Sequence, residues 1–150
     1  MIRFKNRKRS ILNKSLIFLS NFIRKLFGGD RLLRISGEIV NISKEISQKK
    51  KKKITVLDFG CGSMNVSKKL NKYSFIKQIV GIDTFYYKFQ SKKMQYVQSN
   101  KFFNSNNTKF DLVIAIDVLH HIGIDQAPKI LQKLSKISNN IIIKDHFEHG

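Results

Sequence analysis

From Ile54 to the end of the chain, apolar positions come in two alternating rhythms, short unbroken runs and longer stretches spaced at three and four. Ile54–Asp58 is the first run, and Ile54, Val56 and Leu57 supply the apolar bulk of a strand covered on both faces. Asn65–Leu70 begins a helix. Lys77–Asp83 contains a second strand, Ile79-Val80-Gly81-Ile82, and Met94–Gln98 is a short third. Asp111–Ile116 is a strongly apolar fourth strand. Asp125–Ser138 is a helix with Ile130, Leu131, Leu134 and Ile137 facing inward, and Asn140–Lys144 is a fifth strand. Alternation of this kind predicts an α/β fold with a doubly wound, mostly parallel sheet and helices on both faces.

The first 53 residues follow a different rule. A basic arm, residues 1–10, precedes helical periodicity over 11–27, where Leu12, Leu16, Leu19, Ile23 and Leu26 form one stripe. Gly28-Gly29 ends that helix. A second helix is expected over Arg31–Ser47, with Leu32, Ile35, Ile39, Ile42 and Ile46 at helical spacing, and the lysine run Lys49–Lys53 leads into the first strand. The expected division is a basic helical extension over 1–53 and a ligand-binding domain over 54–150.

The chemistry concentrates where strands give out. Gly60 and Gly62 let the chain turn sharply after the first strand and let a ligand approach the backbone. Asp58, Asp83 and Asp111 are read as acids at the carboxyl ends of three strands. Asp83 follows the glycine turn by roughly 20 residues, the spacing at which a carboxylate meets ribose hydroxyls. A dinucleotide turn starting at Gly60 would need glycine at position 65, which is Asn65. A cofactor with an adenosine and a tail other than pyrophosphate fits better.

Val56-Leu57-Asp58-Phe59-Gly60-Cys61-Gly62-Ser63, Gly81-Ile82-Asp83, Phe110-Asp111-Leu112-Val113 and Asp117-Val118-Leu119-His120-His121-Ile122 together resemble class I S-adenosylmethionine-dependent methyltransferases. Ile142-Ile143-Lys144-Asp145-His146 is similar to the end of their fifth strand. The resemblance implies a Rossmann-like sheet of order 3-2-1-4-5 and S-adenosyl-L-methionine as cofactor. Asp58, Gly60, Cys61 and Gly62 would surround its methionine part, Asp83 its ribose, and Asp117 and Val118 its sulfonium end. Asn100 stands where many members carry an acid near adenine, and Met64 replaces the third glycine of the usual turn.

For a hydroxyl acceptor a general base is needed, and His146 and His120 are the candidates, His146 the better placed. The implied reaction is methyl transfer to a small-molecule or lipid-like acceptor. The alternatives are RNA methylation with the basic arm gripping phosphates, and a truncated, non-catalytic methyltransferase-like binding protein. The family's sheet has two further strands, so Ile141–Ile143 is expected as an uncovered apolar edge open to a partner or to self-association.

Charge and cysteine usage refine this picture modestly. The net charge of +19 is uneven: residues 1–53 hold 16 Lys/Arg against three acids, and residues 54–150 hold 13 against seven. Nucleic acid is therefore a partner to consider, not the favoured one. Residues 11–27 suit peripheral membrane contact or organelle targeting, and equally a helix packed on the domain. The lone Cys61 excludes an internal disulfide and points to a reducing, cytoplasmic setting. No His/Cys spacing suggests a metal site.

Overall fold

A computed structural model describes residues 29–85, 91–99, 102–103 and 108–145. The expected basic arm and first helix, together with Asn100 and His146, lie outside the described residues. The chain divides into two compact units, Met1–Ile39 and Val40–Gly150, and the sheet belongs to the second.

In order come helix α1 (Gly29–Lys50), strand β1 (Ile54–Phe59), helix α2 (Asn65–Leu70), β2 (Ile76–Asp83) and β3 (Met94–Gln98). They are followed by β4 (Leu112–Ile116), a single 3₁₀ turn (Leu119–His121), helix α3 (Ala127–Ile137) and β5 (Ile141–Lys144). The five strands pair in the order β3-β2-β1-β4-β5, all parallel. This is the expected Rossmann-like order.

β1 lies at the centre because it has apolar side chains for both faces. Leu57 and Phe59 join Val80, Ile82, Val113 and Ala115 in one cluster, which Ile130, Leu134 and Ile137 of α3 cover. Successive strand residues point to opposite faces, so Val56 and Asp58 face the other way, where Ser67 of α2 meets Asp58. Leu131, expected inward on α3, is only partly buried. Its neighbours at positions 130, 134 and 137 complete the buried stripe without it.

Two sequence expectations are corrected by this geometry. On α1, Ile42 is exposed at 38%, whereas Ser36, Ser43 and Ser47 are buried. The buried line of that helix is marked by small polar residues as well as aliphatic ones. Asp111 does not end a strand; it precedes β4, at the amino edge of the sheet. There its Oδ2 accepts the Thr55 N–H (2.9 Å) and hydroxyl (3.1 Å), and Oδ1 pairs with Lys50 (2.7 Å) and Lys52 (3.2 Å). Asp111 thus ties the start of β4 to the start of β1. Although burial opposes its charge, Lys50, Thr55 and Lys52 hold its carboxyl well below the usual carboxylate range.

The order of the strands reverses between β1 and β4: β1, β2 and β3 are laid down outward on one side, and the chain then crosses back to add β4 and β5 on the other. In open α/β sheets the crevice at that reversal, beyond the carboxyl ends of the strands, is where ligands bind. Among the described residues no helix is long and apolar enough to cross a membrane.

Candidate cofactor site at the carboxyl ends of the strands

Beyond Phe59 the chain enters three left-handed residues in five positions: Gly60 (φ 70°), Gly62 (φ 49°) and Met64 (φ 59°). The N–H groups of Gly60 and Cys61 both donate to the Ile82 carbonyl, at 2.8 and 3.1 Å, folding the turn back over β2. At Gly60 the glycine is needed twice over. Its backbone is left-handed, and a Cβ would lie 2.1 Å from Cγ2 of Val118.

Met64 shows how the turn dispenses with a third glycine. The left-handed conformation costs a non-glycine residue roughly 1–2 kcal/mol. Its side chain is 1% exposed and lies over Gly81, where a Cβ would come within 2.6 Å of the Met64 methyl. Burying a methionine side chain contributes about 1.5–3 kcal/mol, enough to offset the strain. The side chain therefore fills the space left by Gly81.

Asp83 closes β2 and faces the turn. Its Oδ2 accepts the Gly62 N–H at 2.8 Å, and Oδ1 accepts the backbone N–H of Thr84 (2.7 Å) and of Phe85 (3.3 Å). The Tyr96 hydroxyl, from β3, reaches the carbonyls of Asp83 (3.0 Å) and Phe85. The carboxylate is thus aimed by backbone donors. At Gly62 an added Cβ would meet nothing within 4 Å, so the turn is open beside it.

Asp58 is buried beneath the turn and accepts a 2.5 Å hydrogen bond from Ser67 of α2. Desolvation pushes its carboxyl up to about 6, Ser67 works against that rise, and the charge of Asp83 adds to it. The buried Cys61 thiol is pushed far up, by desolvation first and then by Asp58 and Asp83. It is a neutral packing group, not a nucleophile.

On the other side of the crevice, β4 is followed directly by Asp117, itself left-handed (φ 51°), whose N–H donates to the Lys144 carbonyl at 2.7 Å. Val118 follows and covers Gly60. The 3₁₀ turn is held by Asp145, just past β5, which accepts the N–H groups of Leu119 (2.6 Å) and His120 (3.1 Å) and contacts the His120 ring at Nδ1. The His120 and His121 rings lie 3.9 Å apart.

Asp58, Gly60, Cys61, Gly62, Asp83, Asp117, Val118 and His120 therefore gather at one end of the sheet, as read from the sequence. Asp111 stands at the opposite end. Three participants escaped that reading: Ser67, Tyr96 and Asp145. Asp145 carried a usable signal, an acid directly after an apolar strand. Among the described residues no cluster of His, Cys, Asp and Glu forms a metal-ligand set.

Residues 31–148 match the family described as Methyltransferase domain. Comparison with the curated proteins gives no match. Solved structures of similar fold include the methyltransferase domain of bacterial CtHen1-C, with TM-score 0.58 and 20% identity over 72% of this chain and 62% of that one. Monomeric WbdD aligns with TM-score 0.62 and 22% identity, over 78% of this chain and 32% of its own. A Burkholderia thailandensis 1,6-didemethyltoxoflavin-N1-methyltransferase, solved with bound 1,6-didemethyltoxoflavin and S-adenosylhomocysteine, aligns with TM-score 0.52 and 13% identity over 91% of this chain and 64% of that one. The chain thus spans less than two thirds of the length of each of these relatives. With the family match covering most of its length and a 3-2-1-4-5 parallel sheet beneath it, the chain belongs to the methyltransferase-domain family.

Proposed function

We propose that the protein binds S-adenosyl-L-methionine in the crevice between β1 and β4 and transfers its methyl group to a small-molecule or lipid-like acceptor. The observation that carries the cofactor reading is Asp83, a carboxylate fixed by the Gly62, Thr84 and Phe85 amides beside an open glycine turn. The donor chemistry fits: an ionised carboxylate accepts two hydroxyl hydrogens, as a ribose offers. Asp83 would hold the ribose, and the turn at 60–63 the methionine part. Asp117 and Val118 would line the sulfonium end. The bound cofactor supplies a methyl group already activated on positive sulfur, so alignment accounts for most of the acceleration.

For the acceptor, charge placement supports a small or apolar molecule over RNA. The hollow lined by Lys50, Lys52, Lys53, Lys77, Lys109 and Lys136 surrounds Asp111 at the amino edge, at the opposite end of the strands from the cofactor crevice. On the crevice side Ile124 is 87% exposed, on the segment that follows the His120 turn. Incubation with methyl-labelled cofactor tests this choice. Label should pass to an extract of small molecules and lipids and not to bulk RNA; label in RNA, with salt-sensitive RNA binding, would reverse the assignment.

A further inference from the structure

Asp145 divides its carboxylate between two tasks. Oδ2 accepts the Leu119 and His120 backbone N–H groups, at 2.6 and 3.1 Å, while Oδ1 meets Nδ1 of the His120 ring. The end of β5 therefore clamps the turn after β4 and engages its histidine at one defined nitrogen. The Asp145 side chain is shielded, at 11% exposed, whereas His120 is an exposed residue whose side chain keeps 28% of its surface open.

A carboxylate only accepts hydrogen bonds, so Nδ1 carries the hydrogen. In the neutral ring the lone pair then belongs to Nε2, and the carboxylate stabilises the imidazolium that forms when Nε2 takes a proton. Sequence reading put His146 ahead of His120; His146 lies outside the described residues, and His120 is the candidate for which an orienting acid is seen.

From this geometry we infer that His120 Nε2 is the proton acceptor of the transfer, that Asp145 is its positioning residue, and that the acceptor is methylated at a hydroxyl. The inference rests on the methyl-transfer reading above. An amine delivered as its free base needs no proton removed before attack, whereas a hydroxyl does. The hydroxyl proton passes to Nε2 as an oxygen electron pair bonds to the methyl carbon. The carbon–sulfur pair stays on sulfur, leaving a neutral thioether and an imidazolium facing Asp145.

Asp145→Asn tests the pair with almost no change of shape. The Oδ2 position faces two backbone donors, so the amide oxygen must take it, which turns the NH₂ group toward Nδ1. The ring is then driven to the Nε2–H tautomer and can no longer accept the proton.

The test uses the full chain labelled with ¹⁵N-histidine, with long-range ¹H–¹⁵N spectra assigned through His120→Gln. Wild-type His120, when neutral, should show a protonated Nδ1 and a bare Nε2, and Asp145→Asn should exchange the two signals. An Nε2–H tautomer in the wild type overturns the inference, as does an unchanged tautomer in the variant. If the variant fails to fold, the wild-type spectrum alone decides. Calorimetry with S-adenosylhomocysteine separates this inference from the reading beneath it. Equal affinity in the two proteins supports a role confined to the proton, whereas no binding to the wild type would overturn the cofactor reading, and the base role with it, while leaving the tautomer result standing.

Discussion

Gly60→Ala and Gly62→Ala give two substitutions of identical chemistry with different expected costs. Both glycines have left-handed backbone, at φ 70° and 49°. A left-handed alanine costs roughly 1–2 kcal/mol, less about 0.4–1 kcal/mol regained because alanine restricts the unfolded chain. For Gly62 nothing else enters, since its new Cβ would meet no atom within 4 Å. For Gly60 the Cβ would stand 2.1 Å from Val118 Cγ2 and 2.6 Å from Val118 Cβ. Neither contact is tolerable, so β1 or the segment after β4 must shift, and overpacking of this kind costs typically 1–3 kcal/mol. Gly60→Ala should therefore be less stable than Gly62→Ala by about 1–3 kcal/mol, measured by urea unfolding followed by far-UV circular dichroism. Val118→Ala in the Gly60→Ala background should recover part of the loss, because it removes the nearest atom and leaves Cβ in place. Equal costs for the two alanines would mean that Val118 does not lie against the turn, and the floor of the crevice would have to be redrawn.

Two further substitutions probe buried polar groups. The Asp58 carboxyl titrates near 6 in the fold against 3.8 as an ordinary aspartate. Its charge thus weakens the fold as pH rises from about 4 to 6, by on the order of 3 kcal/mol at full effect. Asp58→Asn, which can still accept from Ser67, should gain stability relative to the wild type across that interval, and parallel stability–pH curves would contradict the burial argument. The Ser43 hydroxyl is buried with no hydrogen-bond partner among the described residues. Ser43→Ala should raise stability by about 1 kcal/mol, and a loss of stability in urea unfolding would show that the hydroxyl is satisfied.

How much was legible in the sequence depended on whether the controlling partner was near in the chain. β1 and β2 were readable because their apolar residues serve both faces of a central strand, which no surface element would require. The Asp83 position was readable because its distance from the glycine turn is set by one crossover helix between paired strands. The buried face of α1 was misread because periodicity weighs only hydrophobic residues, and Ser36, Ser43 and Ser47 take buried places that aliphatics were expected to hold. Asp111 was misplaced because an acid flanking an apolar run reads equally as its start or its finish. The difference lies in Thr55, Lys50 and Lys52, which it meets only after folding. Met64 read as a missing glycine, although its side chain has Gly81, 17 positions later in the chain, to rest on. The His120–Asp145 pair joins segments that follow two different strands, 25 positions apart, and no local pattern announces it.

The central claim is that Asp83, held beside the glycine turn, grips the ribose of a sulfonium cofactor. Calorimetric titration of the full chain with S-adenosylhomocysteine, repeated on Asp83→Ala with its folding checked by circular dichroism, tests it most directly. The account predicts saturable binding to the wild type and its loss in the folded variant. No heat at millimolar ligand, or affinity unchanged by the substitution, would contradict it.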